Sequence, residues 1–296
     1  MPDVRSPTLR RRELGALLRA FRQDRGMTVE QVAELLLCSP SKVSRMETGQ
    51  RGATARDIRD LCEIYGVTDG EQVRRLVSLA REGKQQGWWQ SHELDYFATY
   101  VGLEEAATAL WCYQSSIVFG LLQTVDYAQA MYKASLPAEF TPERADELIK
   151  VRLRRQQVLT RERPVRLMVL FDEAMLHRVV GGPEVMRAQI DHLVEVANLP
   201  NVTLGVIPYA AGAHPAMESM FNIMDFGEVA SSVVYVEGLM GWLYLERPQE
   251  VERYRQIFEY LRGMALGKED TIELLSETRM RYSAAPVPRI AWRSKN

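Results

Sequence analysis

Between Arg10 and Phe21 the apolar residues Leu14, Leu17, Leu18 and Phe21 return every three or four positions, the spacing of one face of an amphipathic helix. Gly26 closes that helix. Thr28 then stands as an N-cap before Val29, Val32, Ala33, Leu35 and Leu36, and Gln31 three residues on completes a capping-box spacing. Ser39 caps a third helix with Pro40 in its first position, where a missing N–H costs nothing. Val43 and Met46 point inward from it, and Thr48-Gly49 ends it. A fourth helix starts at Thr54 and runs through Ile58, Leu61, Cys62 and Ile64 to Gly66, and a fifth spans Glu71 to Arg81. The stretch from Glu82 to Ser91 is polar and glycine-containing around adjacent Trp88 and Trp89, and reads as a junction. One tryptophan anchors the linker to each side, or both are partly buried core aromatics.

Past the junction, Leu103 to Trp111, Tyr127 to Tyr132 and Thr141 to Arg161 read as helices. The period then changes: Val165 to Phe171 and Val202 to Pro208 are strand-like, with helices at Glu173 to Val180 and Glu184 to Asn198 between them, which implies a parallel crossover. Phe221 to Phe226 and Val233 to Val236 add a hairpin around Gly227-Glu-Val-Ala, and helices at Pro248 to Leu266 and Glu269 to Tyr282 follow. The expected fold is mainly α with an α/β second domain: a five-helix helix-turn-helix bundle, then helices packed on a small mixed β-sheet. The domains predicted are a head at 1–82, a linker at 83–91, a body at 92–282, and a basic tail at 283–296.

The 296 residues suit about two domains. The net charge of -2 conceals an uneven distribution: residues 1–60 hold 12 basic and 8 acidic groups, 61–278 hold 20 and 31, and 279–296 hold five and none. A basic head before an acidic body is the distribution expected if only the head meets a polyanion, although ordinary surface scatter gives a similar excess. Cys38, Cys62 and Cys112 form no C-x-x-C pair, which argues for reduced thiols and against disulfides or a cysteine zinc site. Apolar runs such as Gly238 to Leu245 fall far short of a membrane span, and the Arg-rich start lacks a signal-peptide core, so a cytoplasmic location is expected.

Short helix, three-residue turn and short helix inside a bundle is the helix-turn-helix geometry, whose second helix lies in the major groove. The segments Thr28-Val-Glu-Gln-Val-Ala-Glu-Leu and Ser39-Pro-Ser-Lys-Val-Ser-Arg-Met-Glu-Thr-Gly resemble the xenobiotic-response-element family of helix-turn-helix regulators. In that pattern Ala33 lets the paired helices approach, and Val43 and Met46 are buried. The outward residues are Ser39, Ser41, Lys42, Ser44 and Arg45, with Arg45 the first choice for a base edge. Thr28, Ser39 and Arg51 are assigned to the phosphates. The plainer reading is that Thr28 and Ser39 only cap, Lys42 is solvated and Arg45 pairs with Glu47 or another acid. Leu37 stands where the family usually has glycine, which puts the shape of the turn in question. Ser39-x-x-Lys42 also fits the nucleophile pattern of penicillin-binding enzymes, but the companion motifs are missing.

The resemblance continues through Gly87-Trp-Trp, Leu103-Glu-Glu-Ala, Gly120-Leu-Leu-Gln-Thr, Arg152-x-x-Arg-Gln, Phe171-Asp-Glu-Ala, Leu199-Pro-Asn-Val, Val206-Ile-Pro and Val234-Tyr-Val-Glu. These motifs look like the uncharacterised DUF5753 domain that follows this head in many actinobacterial regulators. Phe119 replaces the proline usual before Gly120. The resemblance implies control of transcription, often beside a gene for a small partner protein. No nucleotide, phosphate-loop, serine-hydrolase or zinc-protease motif is present, so no enzyme activity and no cofactor is expected. Glu173 with His177, and His192 with Glu195, fit ordinary intrahelical pairs better than metal ligands, and no metal site is expected. His214 lies in a small-residue loop after a strand and, with Met217, Met220, Met224, Met240 and Trp242, is the candidate effector pocket; core filling by the methionines and a solvated His214 is the plainer alternative. The function expected is a sequence-specific transcriptional regulator that reads a double-stranded DNA operator as a homodimer. A small-molecule effector or a small partner protein modulates it through the body, and no membrane is involved. The alternative is an antitoxin-like interaction protein that binds a neighbouring gene's product.

Overall fold

A computed structural model describes residues 6–85, 87–91, 97–134, 141–227, 230–238 and 241–284. Met240, most of the basic tail and part of the Gly227 turn lie outside the described residues. The chain forms two compact units, residues 1–107 with 226–231, and residues 108–225 with 232–296.

In the first unit, α1 (Pro7–Asp24), α2 (Val29–Leu35), α3 (Pro40–Glu47), α4 (Ala55–Tyr65) and α5 (Gly70–Glu82) form where the hydrophobic spacing placed them. Each boundary has a local cause. Thr28 and Thr54 form full capping boxes with Gln31 and Asp57, Ser39 accepts from the Lys42 amide, and Asp69 caps α5. Such caps contribute about 1 kcal/mol each. Gly26, Gly49 and Gly66 take positive φ after α1, α3 and α4. Leu14, Leu18, Val32, Ala33, Val43, Met46, Ile58, Leu61 and Leu76 share one core. Leu37 itself turns left-handed, with φ 51°, so the turn keeps the backbone that glycine would give it.

A sixth helix, α6 (Phe97–Ala106), also belongs to this unit: Ser6 Oγ donates to Gly102 O at 2.7 Å, and α6 packs on α1. Trp88 and Trp89 sit in a 3-10 turn, edge to face at 5.9 Å, with Trp89 buried. Both tryptophans therefore serve one unit as core aromatics. The first compact unit runs on through the linker predicted at 83–91 to Ala107.

The second unit is built on one six-stranded sheet of β1 (Ala109–Gln114), β2 (Arg166–Asp172), β3 (Val202–Ile207), β4 (Phe221–Asp225), β5 (Val233–Gly238) and β6 (Gly241–Leu245), in the order β3-β2-β1-β4-β5-β6. β1, β2 and β3 run parallel, and β4, β5 and β6 continue antiparallel from β1. The expected parallel pair and hairpin are both present. The helix expected over Leu103 to Trp111 is a correction: α6 stops at Ala106 and residues 109–114 are the central strand. Leu110, Cys112 and Tyr113 are all buried, and a short run buried on both faces has no period that separates strand from helix. β6 was also unforeseen. Around the sheet lie α7 (Val125–Ala134), α8 (Pro142–Gln156), the single turn α9 (Ala174–His177), α10 (Pro183–Val196), α11 (Pro248–Met264) and α12 (Lys268–Ala284). Phe258 and Leu261 of α11 cover one sheet face, against Tyr113, Leu170, Phe221, Ile223 and Val234. Among the described residues no helix is long and apolar enough to cross a membrane.

Candidate functional site

The helix α3 is held from behind. Arg22 of α1 grips Glu47 at its end in a two-pronged pair, Nε to Oε1 at 2.7 Å and Nη2 to Oε2 at 2.9 Å, and its Nη1 donates to Met27 O at 2.8 Å. Such a planar fork fixes orientation as well as distance. Gly15 of α1 lies so close that a Cβ there would stand 2.5 Å from Glu47 O and 2.6 Å from Met46 O. With Val43 and Met46 buried beneath, the opposite face of α3 is fixed and outward.

That face carries Ser41, Ser44 and Arg45, all exposed. The guanidinium of Arg45 makes a 3.3 Å bond to Ser41 O on its own helix, and Glu47, its suggested partner, is occupied by Arg22. Arg51 is exposed just past α3. Thr28 and Ser39 are exposed caps whose hydroxyls accept from Gln31 N at 3.3 Å and Lys42 N at 3.2 Å. Lys42 departs from the solvated picture, because its Nζ is 2.6 Å from Asp57 Oδ1 at the start of α4. Burial works against ionisation of Asp57, but hydrogen bonds from Lys42 and Thr54 and the Lys42 charge outweigh it and hold the carboxyl below the usual range. Gly15, Arg22 and Asp57 were missed from sequence, and Glu47 was named there only as a partner for Arg45. Only Gly15, a glycine inside a helical pattern, carried a local sign of close approach.

In the body, the residues grouped around His214 separate. The His214 side chain is 3% exposed, with Nε2 at 3.3 Å from Asp172 Oδ2 and 3.5 Å from the Tyr113 hydroxyl. Its Nδ1 accepts the Ala216 N–H at 3.3 Å, which leaves the ring proton on Nε2. Burial first, and the Asp172 charge second, push the Tyr113 phenol up, so it stays protonated. These three groups meet at the carboxyl ends of β1 and β2 and beyond β3, beside the switch from parallel to antiparallel order, where open α/β sheets place ligands. Glu173 bonds His177 at 3.1 Å and the Tyr209 amide at 2.8 Å, and the His177 and Tyr209 rings stack at 5.5 Å.

Met224 is buried in β4, Met217 is exposed, and Met220 is half-buried. Trp242 lies on β6, three strands from β1, and register puts it on the sheet face opposite Tyr113. His214 and Trp242 thus belong to different places. His192 reaches only 3.8 Å from Glu195. A separate groove of about 510 Å³ runs between Trp111 and α11, with the Arg255 guanidinium 4.6 Å over the Trp111 ring.

Residues 13–76 match a family described as a helix-turn-helix domain, and residues 97–277 match one described as a domain of unknown function, DUF5753. No curated protein and no solved structure gives a significant match. The second match opens on α6, which packs in the first compact unit. A reading head with its second paired helix braced from behind, followed by a family domain over more than half the chain, makes this protein a helix-turn-helix DNA-binding regulator belonging to the DUF5753 family.

Proposed function

We propose that the protein is a cytoplasmic, sequence-specific transcriptional regulator that reads the major groove through α3 as a homodimer and takes its signal through the body. The outward Ser41, Ser44 and Arg45 on a helix fixed by Arg22 and Gly15 is the observation that carries the DNA reading. Arg45 reaches the O6 and N7 of guanine, the serines bond neighbouring edges or phosphates, and Arg51, Ser39 and Thr28 hold the backbone. Lys42 joins the phosphate contacts by exchanging Asp57 for DNA. One head buries little surface, so paired half-sites about one helical turn apart call for a dimer. The body acts by binding and not by catalysis.

Selection of bound sequences from randomised duplexes tests the head. Arg45→Ala relaxes preference at one base position, with a loss of about 1–3 kcal/mol there, whereas Arg51→Ala weakens all sequences alike and lowers the salt slope by about one. An unchanged preferred sequence in Arg45→Ala defeats the base-reading assignment. Light scattering on the full chain and on a version lacking residues 108–296 tests the dimer, and a dimer of unchanged operator affinity in the shortened chain removes the body from that role.

A further inference from the structure

Arg255 of α11 is held from the sheet side. Its Nη2 donates to Asp225 Oδ2 at 2.8 Å and to Ser232 Oγ at 2.7 Å, Ser232 Oγ donates in turn to Asp225 Oδ2 at 3.1 Å, and the guanidinium lies 4.6 Å over the Trp111 ring. The side chain is thereby drawn away from the two carboxylates that one helical turn normally offers it, Glu252 three positions before and Glu259 four positions after. Glu259 pairs with Arg262 at 2.6 Å, and Glu252 Oε1 accepts from Gln256 Nε2 at 3.2 Å. Among the described residues, Nε and Nη1 of Arg255 and Oε2 of Glu252 meet no protein partner. Both side chains line the groove of about 510 Å³ beside α11, a size suited to a small molecule. Its floor is apolar, made of Trp111 on β1, Ile223 opposite it on β4, and Phe258. Arg255 is half-buried against that floor and Glu252 is exposed one turn before it, which gives the groove a positive inner side and a negative rim.

A simple anion in this groove would meet Glu252 and Glu259 as well as the arginines, and a simple cation would meet Arg255 and Arg262. A molecule carrying both charges close together answers the two open groups at once. Nη1 offers a carboxylate two N–H donors, an ammonium offers Oε2 its own, and bonds between charged groups are the strong ones. We propose that the groove between Trp111 and α11 binds a free α-amino acid with a large apolar side chain, its carboxylate on Arg255, its ammonium on Glu252 and its side chain on Trp111, Ile223 and Phe258. The site deepens the reading that the body takes its signal from a small molecule, and rests on it.

Isothermal titration of the full chain with L-phenylalanine and L-leucine tests the site, with 3-phenylpropionate and phenethylamine as controls that each lack one charge. One L-phenylalanine binds per chain, about tenfold tighter than either control. Glu252→Gln changes an exposed side chain, and its thermal unfolding curve matches wild type. It weakens L-phenylalanine about tenfold and brings it level with 3-phenylpropionate. No heat from either amino acid overturns the site, as does unchanged L-phenylalanine affinity in Glu252→Gln. A control that binds as tightly as L-phenylalanine overturns the two-charge recognition. Operator affinity measured with and without L-phenylalanine separates the two ideas. Binding that leaves DNA affinity unchanged keeps the site and defeats the effector reading, while a DNA response that persists in full in Glu252→Gln defeats the site alone.

Discussion

Leu37 offers a test of backbone strain at the turn that spaces the two reading helices. Its φ of 51° places an L-residue in the left-handed region, and the residue is 93% exposed, so almost no burial offsets the cost. A non-glycine residue in that region loses about 1–2 kcal/mol. Leu37→Gly relieves that strain but adds roughly 0.5–1 kcal/mol of unfolded-state entropy. The net expectation is a head stabilised by about 0.5–1 kcal/mol. Leu37→Ala keeps the strain and removes only the exposed apolar group, so it leaves stability within about 0.5 kcal/mol of wild type. Native-state hydrogen exchange on the core amides of α2 and α3 in the full chain reads the difference, because those amides report the opening of the head itself. Equal protection in the Gly and Ala variants, or lower protection in Leu37→Gly, refutes the assignment of strain to this backbone.

Asp57→Asn spares Lys42 the loss of its ion pair on moving to a phosphate, and the expected outcome is tighter DNA binding with the salt slope unchanged, measured by fluorescence anisotropy across a salt series. Because the folded Asp57 carboxyl lies below its unfolded value of about 3.9, the stability it contributes is full above that pH and is lost as pH falls through the folded value. Denaturant titrations at pH 7 and in the acid range therefore show a smaller acid loss in Asp57→Asn than in wild type. Gly15→Ala drives a Cβ into the carbonyls at the end of α3 and destabilises the head by about 1–3 kcal/mol, with operator affinity falling beyond what the folded fraction accounts for.

The head was legible because its punctuation is local. Thr28 with Gln31, Ser39 before Pro40, and Thr54 before α4 all act within one helical turn, and each is where the sequence placed it. What fixes the recognition helix was not legible. Arg22 meets Glu47 across 25 positions and Lys42 meets Asp57 across 15, and one charged residue among many carries no mark of its distant partner. In the body, neighbourhood in sequence was the wrong guide. His214 and Trp242 are close along the chain, but strand order and the two-residue alternation of β-structure send them to different faces. The partners of His214 came from β1 and β2, and β1 had no period to announce it.

The contact of α6 with α1 bears on how such regulators are recombined. The family segment that begins at residue 97 opens inside the head, with Ser6 bonded to Gly102 and Thr8 so close to it that a Cβ on Gly102 would stand 2.2 Å from the Thr8 hydroxyl. A chimera joined at Gly87 would set α6 against a foreign first helix, and one joined after Ala107 would carry a complete surface. The start of α1 and the whole of α6 therefore form one fitted pair of surfaces, and a head exchanged between members is expected to keep its packing only where that pair travels together.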